Sequence, residues 1–170
     1  MSNEDSDPDV VWVEIEGAGR VRFSRKSSIR IDQEGHFWHE DERVEHLGMS
    51  ETFARWITRD AESGRYQLRN GIDWCWITVD DAPLVVRAAH VESDGRVTLW
   101  LSDGQQERLD ASTLSLRDES VPYCLVREGT LSARFGASAA FTLLEHAQWR
   151  DGQWILALAN ERFALPPHTQ

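Results

Sequence analysis

Lysine is almost missing: of the 18 basic residues, all but Lys26 are arginine. Cysteine is as scarce, with Cys75 and Cys124 alone, too few for a disulfide framework and in keeping with a reducing cytoplasm. No apolar run approaches the roughly 18 residues of a membrane span, which excludes a helical transmembrane protein. The opening MSNEDSDPDV has neither a basic n-region nor an apolar h-region, so a cytoplasmic rather than a secreted protein is expected. Glycine-rich phosphate cradles are absent too, as neither GxGxxG nor a Walker sequence occurs. No GxSxG elbow, HExxH, CxxC or DxDxDG pattern is present either. The familiar signatures of nucleotide, zinc, calcium and serine-hydrolase chemistry are thereby removed.

What remains is an ordinary globular composition. The 170-residue, 19.5 kDa chain is 41% apolar and 28% charged. That suffices for one domain, or two small modules sharing a core, without metal or disulfide support. The net charge of −11 is unevenly spread. Residues 1–9 carry −4 and residues 32–62 carry −6, whereas residues 10–31 carry +3 through Arg20, Arg22, Arg25, Lys26 and Arg30. Such a field repels duplex nucleic acid and anionic membrane, because phosphate binding needs a basic footprint. Neither is an expected partner. The basic 20–30 stretch is the exception, and reads first as a solvated strand pair.

Along the chain, residues 1–9 read as a disordered acidic tail. Residues 10–27 read as an N-terminal hairpin extension, Val10–Ile15 alternating, Gly17 and Gly19 turning, and Arg20–Phe23 returning. Residues 28–78 make a first module. Ile29 and Ile31, the turn Asp32-Gln33-Glu34-Gly35 and the return His36–His39 form a hairpin. A helix follows over about 50–60, capped by Ser50 with Phe53, Trp56 and Ile57 at helical spacing. A second hairpin turns at Asn70-Gly71. Residues 79–166 make a second module. Its strands Leu84–Val91, Arg96–Leu101 and Glu107–Leu109 meander antiparallel across Asp-Gly turns. The hairpin Tyr123–Val126/Leu131–Phe135 comes next, then a helix over 137–149 with Phe141, Leu144 and Leu143 as inward candidates, then a last hairpin ended by Pro166-Pro167. The fold class is α+β. Hairpin, helix and hairpin occur twice at a spacing near 90 residues, Tyr66 aligning with Trp154 and Leu68 with Leu156, so a duplicated unit is expected around the central meander.

Chemical constellations are sparse. His36, His39 and His46 lie among Asp32, Glu40, Asp41, Glu42 and Glu45. Strand alternation sends His36 and His39 to opposite faces, so a polar strand end is expected and no metal. Cys75 lies opposite Trp74 and Trp76 on its strand and reads as a small core or edge residue. Cys124, inside the apolar run Tyr123–Val126, should have a raised pKa and little nucleophilicity. Asp80 and Asp81 diverge in an extended chain and read as turn or cap residues rather than an acid/base couple. Among the eight tryptophans, Trp56, Trp100 and Trp154 are expected inward, while Trp38 or Trp74 is available to stack on a planar ligand. No cofactor is expected.

Three stretches carry a resemblance: Ile29-Arg-Ile-Asp-Gln-Glu-Gly-His-Phe-Trp-His39, Val79-Asp-Asp-Ala-Pro-Leu84 and Pro122-Tyr-Cys-Leu-Val-Arg-Glu-Gly-Thr-Leu-Ser-Ala-Arg134. In this order and spacing, over roughly residues 28–166, they resemble the bacterial domain of unknown function (DUF) family 1285. The Asp-Ala-Pro and Tyr-x-x-Val-Arg-x-Gly elements are the most specific. The resemblance implies a duplicated architecture whose C-terminal half is loosely similar to pleckstrin-homology folds. It also implies a ligand site at the module interface and a signalling role with a nucleotide-like ligand. His39, Asp81, Pro83, Tyr123 and Arg127 lie in the matching motifs and are carried as interface candidates. The chain departs from the family pattern after His39, where Glu-Asp-Glu-Arg-Val-Glu replaces a shorter Gly/Pro-containing turn, and in adding residues 1–27.

The favoured reading is a non-catalytic cytoplasmic ligand-binding or regulatory protein with a small anionic ligand between its modules. Arg127, together with Arg134, is expected to hold the anionic group through its planar fork. On this reading Arg127→Ala abolishes binding and leaves the melting temperature within a few degrees. The alternative is a protein–protein adaptor acting through exposed strand edges and the basic 20–30 hairpin. A third reading is an enzyme using His39 with a carboxylate.

Overall fold

In the computed structural model, residues 9–15 and 19–169 are described. The N-terminal ribbon pairs β1 (Val10–Ile15) with β2 (Gly19–Ser24) antiparallel, as the alternation predicts. Residues 1–8 of the expected acidic tail lie outside the described residues. Asp9, at its end, is buried, and its carboxylate accepts from Trp76 Nε1 and, at 3.2 Å, from Arg65 Nη1. Backbone bonds from Arg25 N–H to Asp9 O and from Trp76 N–H to Arg25 O continue this anchor into the first module.

The first module contains β3 (Ile29–Ile31), β4 (Phe37–His39), β5 (Glu42–Arg43), α1 (Leu47–Trp56), β6 (Ile57–Arg59), β7 (Tyr66–Asn70), β8 (Asp73–Trp76) and β9 (Thr78–Val79). Its strands pair as β5-β4-β3-β9, with β3 and β9 parallel, and as the antiparallel meander β6-β7-β8. The helix begins and ends earlier than its periodicity predicts. His46, not Ser50, is the cap: its Nδ1 accepts from Met49 N–H at 3.2 Å, while Ser50 Oγ donates back to Val44 O at 3.3 Å. At the other end the β-branched pair Ile57-Thr58 leaves the helix to face Leu68 and Gln67 across β6 and β7. Ile57 is only 1% exposed there, so strand pairing buries it as completely as a longer helix would.

The second module runs β10 (Leu84–Val91), β11 (Val97–Leu101), β12 (Gln106–Arg108), a 3-10 turn (Ala111–Thr113), β13 (Ser115–Arg117), β14 (Val121–Val126) and β15 (Leu131–Phe135). After these come α2 (Ala137–Leu144), β16 (Ala147–Arg150), β17 (Gln153–Leu158) and β18 (Glu161–Leu165). Six strands form a curled half-barrel sheet in the order β12-β11-β10-β15-β14-β13, closed by a parallel contact between β10 and β15. β16-β17-β18 is a separate meander. The α+β class is thus as expected.

Three expectations fail locally. α2 stops at Leu144, because Ala147–Arg150 pairs with Gln153–Leu156 as a strand. Its inner face is Ala139, Ala140 and Leu143, and Phe141 stays 67% exposed. Gly136 N–H bonds Val86 O on β10, which sets the start of α2 against that strand, and Phe141 lies off the face formed by Ala139, Ala140 and Leu143. Trp100 is also exposed, since Val97, Leu99 and Leu101 take the core face of β11 and alternation turns Trp100 away. Finally, Pro166-Pro167 does not end the fold. Leu116 N–H bonds Pro166 O and His168 N–H bonds Leu116 O, strapping the C-terminus along β13.

Ile31, Phe37, Ala54, Ile57 and Leu68 of the first module belong to the same buried cluster as Leu84, Leu99, Phe135, Leu143 and Leu156 of the second. The two modules therefore share a core, and the charged side chains between them are held at fixed positions.

Candidate functional site

The residues picked out by sequence divide into three places. Asp81, Tyr123 and Arg134 come together. The Asp81 carboxylate, 1% exposed, accepts from Tyr123 Oη at 2.7 Å and from Arg117 Nη2 at 2.9 Å, with Arg134 Nε 3.3 Å away. Arg134 Nη1 also donates to Gln33 O at 3.1 Å, tying this cluster to the β3–β4 turn. The ring of His168 stacks on Tyr123 at 3.9 Å and 12°, its Nδ1 2.8 Å from Ser115 Oγ. Burial, with the hydrogen bond to Asp81 second, pushes the Tyr123 phenol up to about 12. Asp80 turns the other way to Arg30, so the two adjacent carboxylates diverge as expected. Pro83 is buried at the entrance to β10, two residues beyond Asp81, and fixes the chain there.

Arg127 is elsewhere. Its guanidinium donates to Ala54 O at 2.8 Å, Ile57 O at 2.9 Å and Arg55 O at 3.2 Å, the carbonyls that end α1. It also bonds the Asp103 carboxylate at 2.6 Å, which is 0% exposed. Asp103 in turn accepts from Gln105 N–H at 2.9 Å. A fork spent on four acceptors caps a helix and joins the modules. His39 stands apart from both groups, exposed on β4 opposite Glu42. The extra residues after it form a tight turn, with Glu40 and Asp41 at φ +49° and +67°, and the short strand β5.

Asp32, Glu34 and His36 bring ligand-type atoms within 4.8 Å of one another. Their hydrogen bonds describe a turn. Asp32 accepts from the N–H groups of Glu34 and His36, from His36 Nδ1 at 3.1 Å and from Trp38 Nε1 at 2.8 Å. Burial pulls the Asp32 carboxyl upward, and these bonds outweigh it, holding the group below its ordinary range. Cys75 is half-buried beside the edge-to-face pair Trp74–Trp76, and burial pushes the Cys124 thiol up to about 12. The faces of Trp38 and Trp74 already carry guanidiniums: Arg30 lies 5.3 Å from one ring centroid and Arg25 4.9 Å from the other.

The geometry that departs most from full compensation was not singled out by sequence. A cavity of about 260 Å³ lies where β4, β5 and α1 face β10 and β11. Arg43, Arg87 and His36 line it with the hydroxyls of Ser50 and Ser102 and with Glu51. Gly35 makes the approach possible. It sits at φ +78°, and a Cβ there would meet Val85 Cγ2 at 2.7 Å and lie 3.6 Å from Arg87 Nη2. Glu51 is drawn toward Arg55 at 3.6 Å. Among the described residues, neither Arg43 nor Arg87 has an ion pair or a hydrogen bond to its side chain. Arg87 is exposed as a residue, and partial burial lowers its pKa, with Asp32 opposing the shift and Arg43 adding repulsion. A lone arginine in the run Leu84-Val-Val-Arg-Ala-Ala89 was the signal available in the sequence.

These features define an α+β protein with a curled half-barrel sheet and an arginine-lined cavity on an acidic chain. Two solved structures share that architecture. One is a DUF1285 family protein from Silicibacter pomeroyi DSS-3, with a TM-score of 0.70 at 21% identity over 84% of this chain and 81% of that one. The other is a DUF1285 family protein from Shewanella baltica OS155, with a TM-score of 0.60 at 17% identity over 72% of this chain and 94% of that one. No family model and no curated protein matches the sequence. The chain has the fold of the DUF1285 family, which bears out the resemblance carried by its motifs.

Proposed function

We propose that the protein is a non-catalytic, cytoplasmic regulatory protein that binds a small anion between its modules, in the cavity lined by Arg43 and Arg87. The observation that carries this reading is that two guanidiniums, neither in an ion pair, line one cavity of a chain with net charge −11. An arginine kept partly desolvated and unpaired is unfavourable in the empty protein, and a phosphate or carboxylate removes that cost through charge-assisted, bidentate hydrogen bonds. The volume suits an anionic head group, such as the phosphate of a nucleotide, with the remainder of the ligand outside. Arg127 and Arg134, whose forks are occupied, are assigned to the scaffold that holds the cavity in shape. We also read the chain as a duplicated unit, because each helix is preceded by a hairpin and followed by a three-stranded meander. The loose pleckstrin-homology character of the C-terminal half is part of the same proposal and rests on its curled sheet.

The test is isothermal titration at low salt with inorganic phosphate, AMP and citrate. At least one of them binds saturably, and Arg87→Gln lowers its affinity about tenfold or more. The melting temperature of that variant stays the same or rises slightly. Wild-type affinity in both Arg87→Gln and Arg43→Gln, or no binding of any of the three anions, overturns the assignment.

A further inference from the structure

A second cavity, of about 340 Å³, lies between the β13–β14 turn and the β16–β18 meander, and its chemistry is opposite to that of the first. Two tryptophans make its wall. The rings of Trp149 and Trp154 meet edge to face, 5.7 Å apart and at 71°, so that they form a corner. Trp149 remains 54% exposed, a large π face left to solvent on a short strand. Pro166 and Pro167 also line the cavity, and the Leu116 N–H bond to Pro166 O at 2.8 Å holds them in place.

The acidic rim is supplied by Asp118 and Glu119. They occupy the turn between β13 and β14 at φ +50° and +58°, and both are exposed. Among the described residues, neither carboxylate has an ion pair or hydrogen bond. The neighbouring bases do not neutralise them. Arg117 is turned to Asp81 at 2.9 Å, and Arg150 donates to Gln148 Oε1 at 2.9 Å.

We propose that this cavity binds a small organic cation, an alkyl or quaternary ammonium, seated on the indole face of Trp149 with Asp118 and Glu119 as countercharge. The aromatic wall selects a weakly hydrated organic cation, because the ring quadrupole attracts positive charge and the methyl groups bury against the ring. A hard metal ion needs several converging oxygen ligands, which two carboxylates beside indoles do not provide. An anion is repelled by the rim. The site is therefore independent of the arginine-lined cavity, and either assignment stands or falls alone.

Choline is the probe, and its uncharged isostere 3,3-dimethylbutan-1-ol is the control. Isothermal titration of the full chain is expected to give one choline site with Kd of ~1 mM or tighter, accompanied by a change in tryptophan fluorescence. The neutral isostere binds at least several-fold more weakly, within the roughly 2- to 30-fold range of a cation–π contact. Trp149→Ala loses about tenfold or more while Trp149→Phe retains part of the affinity. Asp118→Asn with Glu119→Gln, two exposed substitutions that leave the fold intact, weakens choline but not the isostere. Absence of saturable binding up to about 10 mM choline overturns the proposal, as does equal binding of choline and isostere, or wild-type affinity in the acidic double variant.

Discussion

Around Asp81 every charge has a partner, whereas Arg43 and Arg87 face a cavity beside His36 and Glu51 and neither forms an ion pair. The Asp81 group lies within residues 79–166 and reaches the β3–β4 turn through the Arg134 bond to Gln33 O, while the cavity is lined from both β4–α1 and β10–β11. Asp81 is 1% exposed and is satisfied by Arg117, Arg134 and Tyr123. Ion pairs of that kind hold a particular geometry. Arg87 is exposed, lacks an ion pair and is partly desolvated at its head. On the proposed reading the difference separates scaffold from site, with the motif residues Asp81, Tyr123, Arg127 and Arg134 in the scaffold and Arg43 and Arg87 facing the anion.

The largest effect is expected from Asp81→Ala. Removing the carboxylate strands two half-buried guanidiniums and the Tyr123 hydroxyl, and costs about 3–5 kcal/mol, or about 10 °C in melting temperature. Calorimetry showing a wild-type transition would sink the scaffold role. Next in size is Arg127→Ala. It leaves Asp103 buried without its partner and uncovers the carbonyls at the end of α1, so a loss of about 3 kcal/mol is expected. The sequence alone suggests an unchanged melting temperature for this variant, so thermal unfolding decides between the two expectations. Arg127→Lys does not restore stability, because a point charge cannot replace the fork. Arg87→Gln should stay within about 0.5 kcal/mol of wild type in denaturant unfolding, the third and smallest of the mutational effects.

The pH dependence has two sides. Asp32 and His168 have folded pKa values below their ordinary 3.8 and 6.5, His168 chiefly through burial with Arg117 adding repulsion. Each contributes stability that is present above its ordinary value and is lost as pH falls, so the melting temperature should decline below about 6.5 and again below about 3.8. Tyr123 and Cys124 act in reverse. Their pKa values rise from 10.0 and 9.0 to about 12, so their stability is intact below 9.0 and lost as pH climbs toward 12. A transition unchanged between pH 5 and 8 would remove His168 from this account.

Much of the fold was legible. Leu84–Val91 and Leu131–Phe135 appear with the expected ends, and the Asn70-Gly71 and Asp94-Gly95 turns sit where their residues require. Local chemistry was enough there, since alternation and left-handed turn residues act within a few positions. The helix ends were misjudged because His46 caps from outside the periodic run, and because Ile57 and Ala147 exchange helical bonds for ladder bonds with strands that only the fold supplies. Of the site residues chosen by motif, Asp81, Tyr123 and Arg134 do lie together. Arg127 could not be read as a helix cap, since its acceptors are about 70 positions away in the chain.

The α+β class, most strand positions, the apolar setting of Cys124 and the net charge of −11 could be read from the chain alone. These depend on composition and short-range periodicity. Which arginines are neutralised depends on the folded arrangement. Arg117, Arg127 and Arg134 find carboxylates 24 to 53 residues away, while Arg43 and Arg87 find none among the described residues. Whether a charge is compensated depends on what lies within about 4 Å of it in space, and a linear chain does not contain that distance.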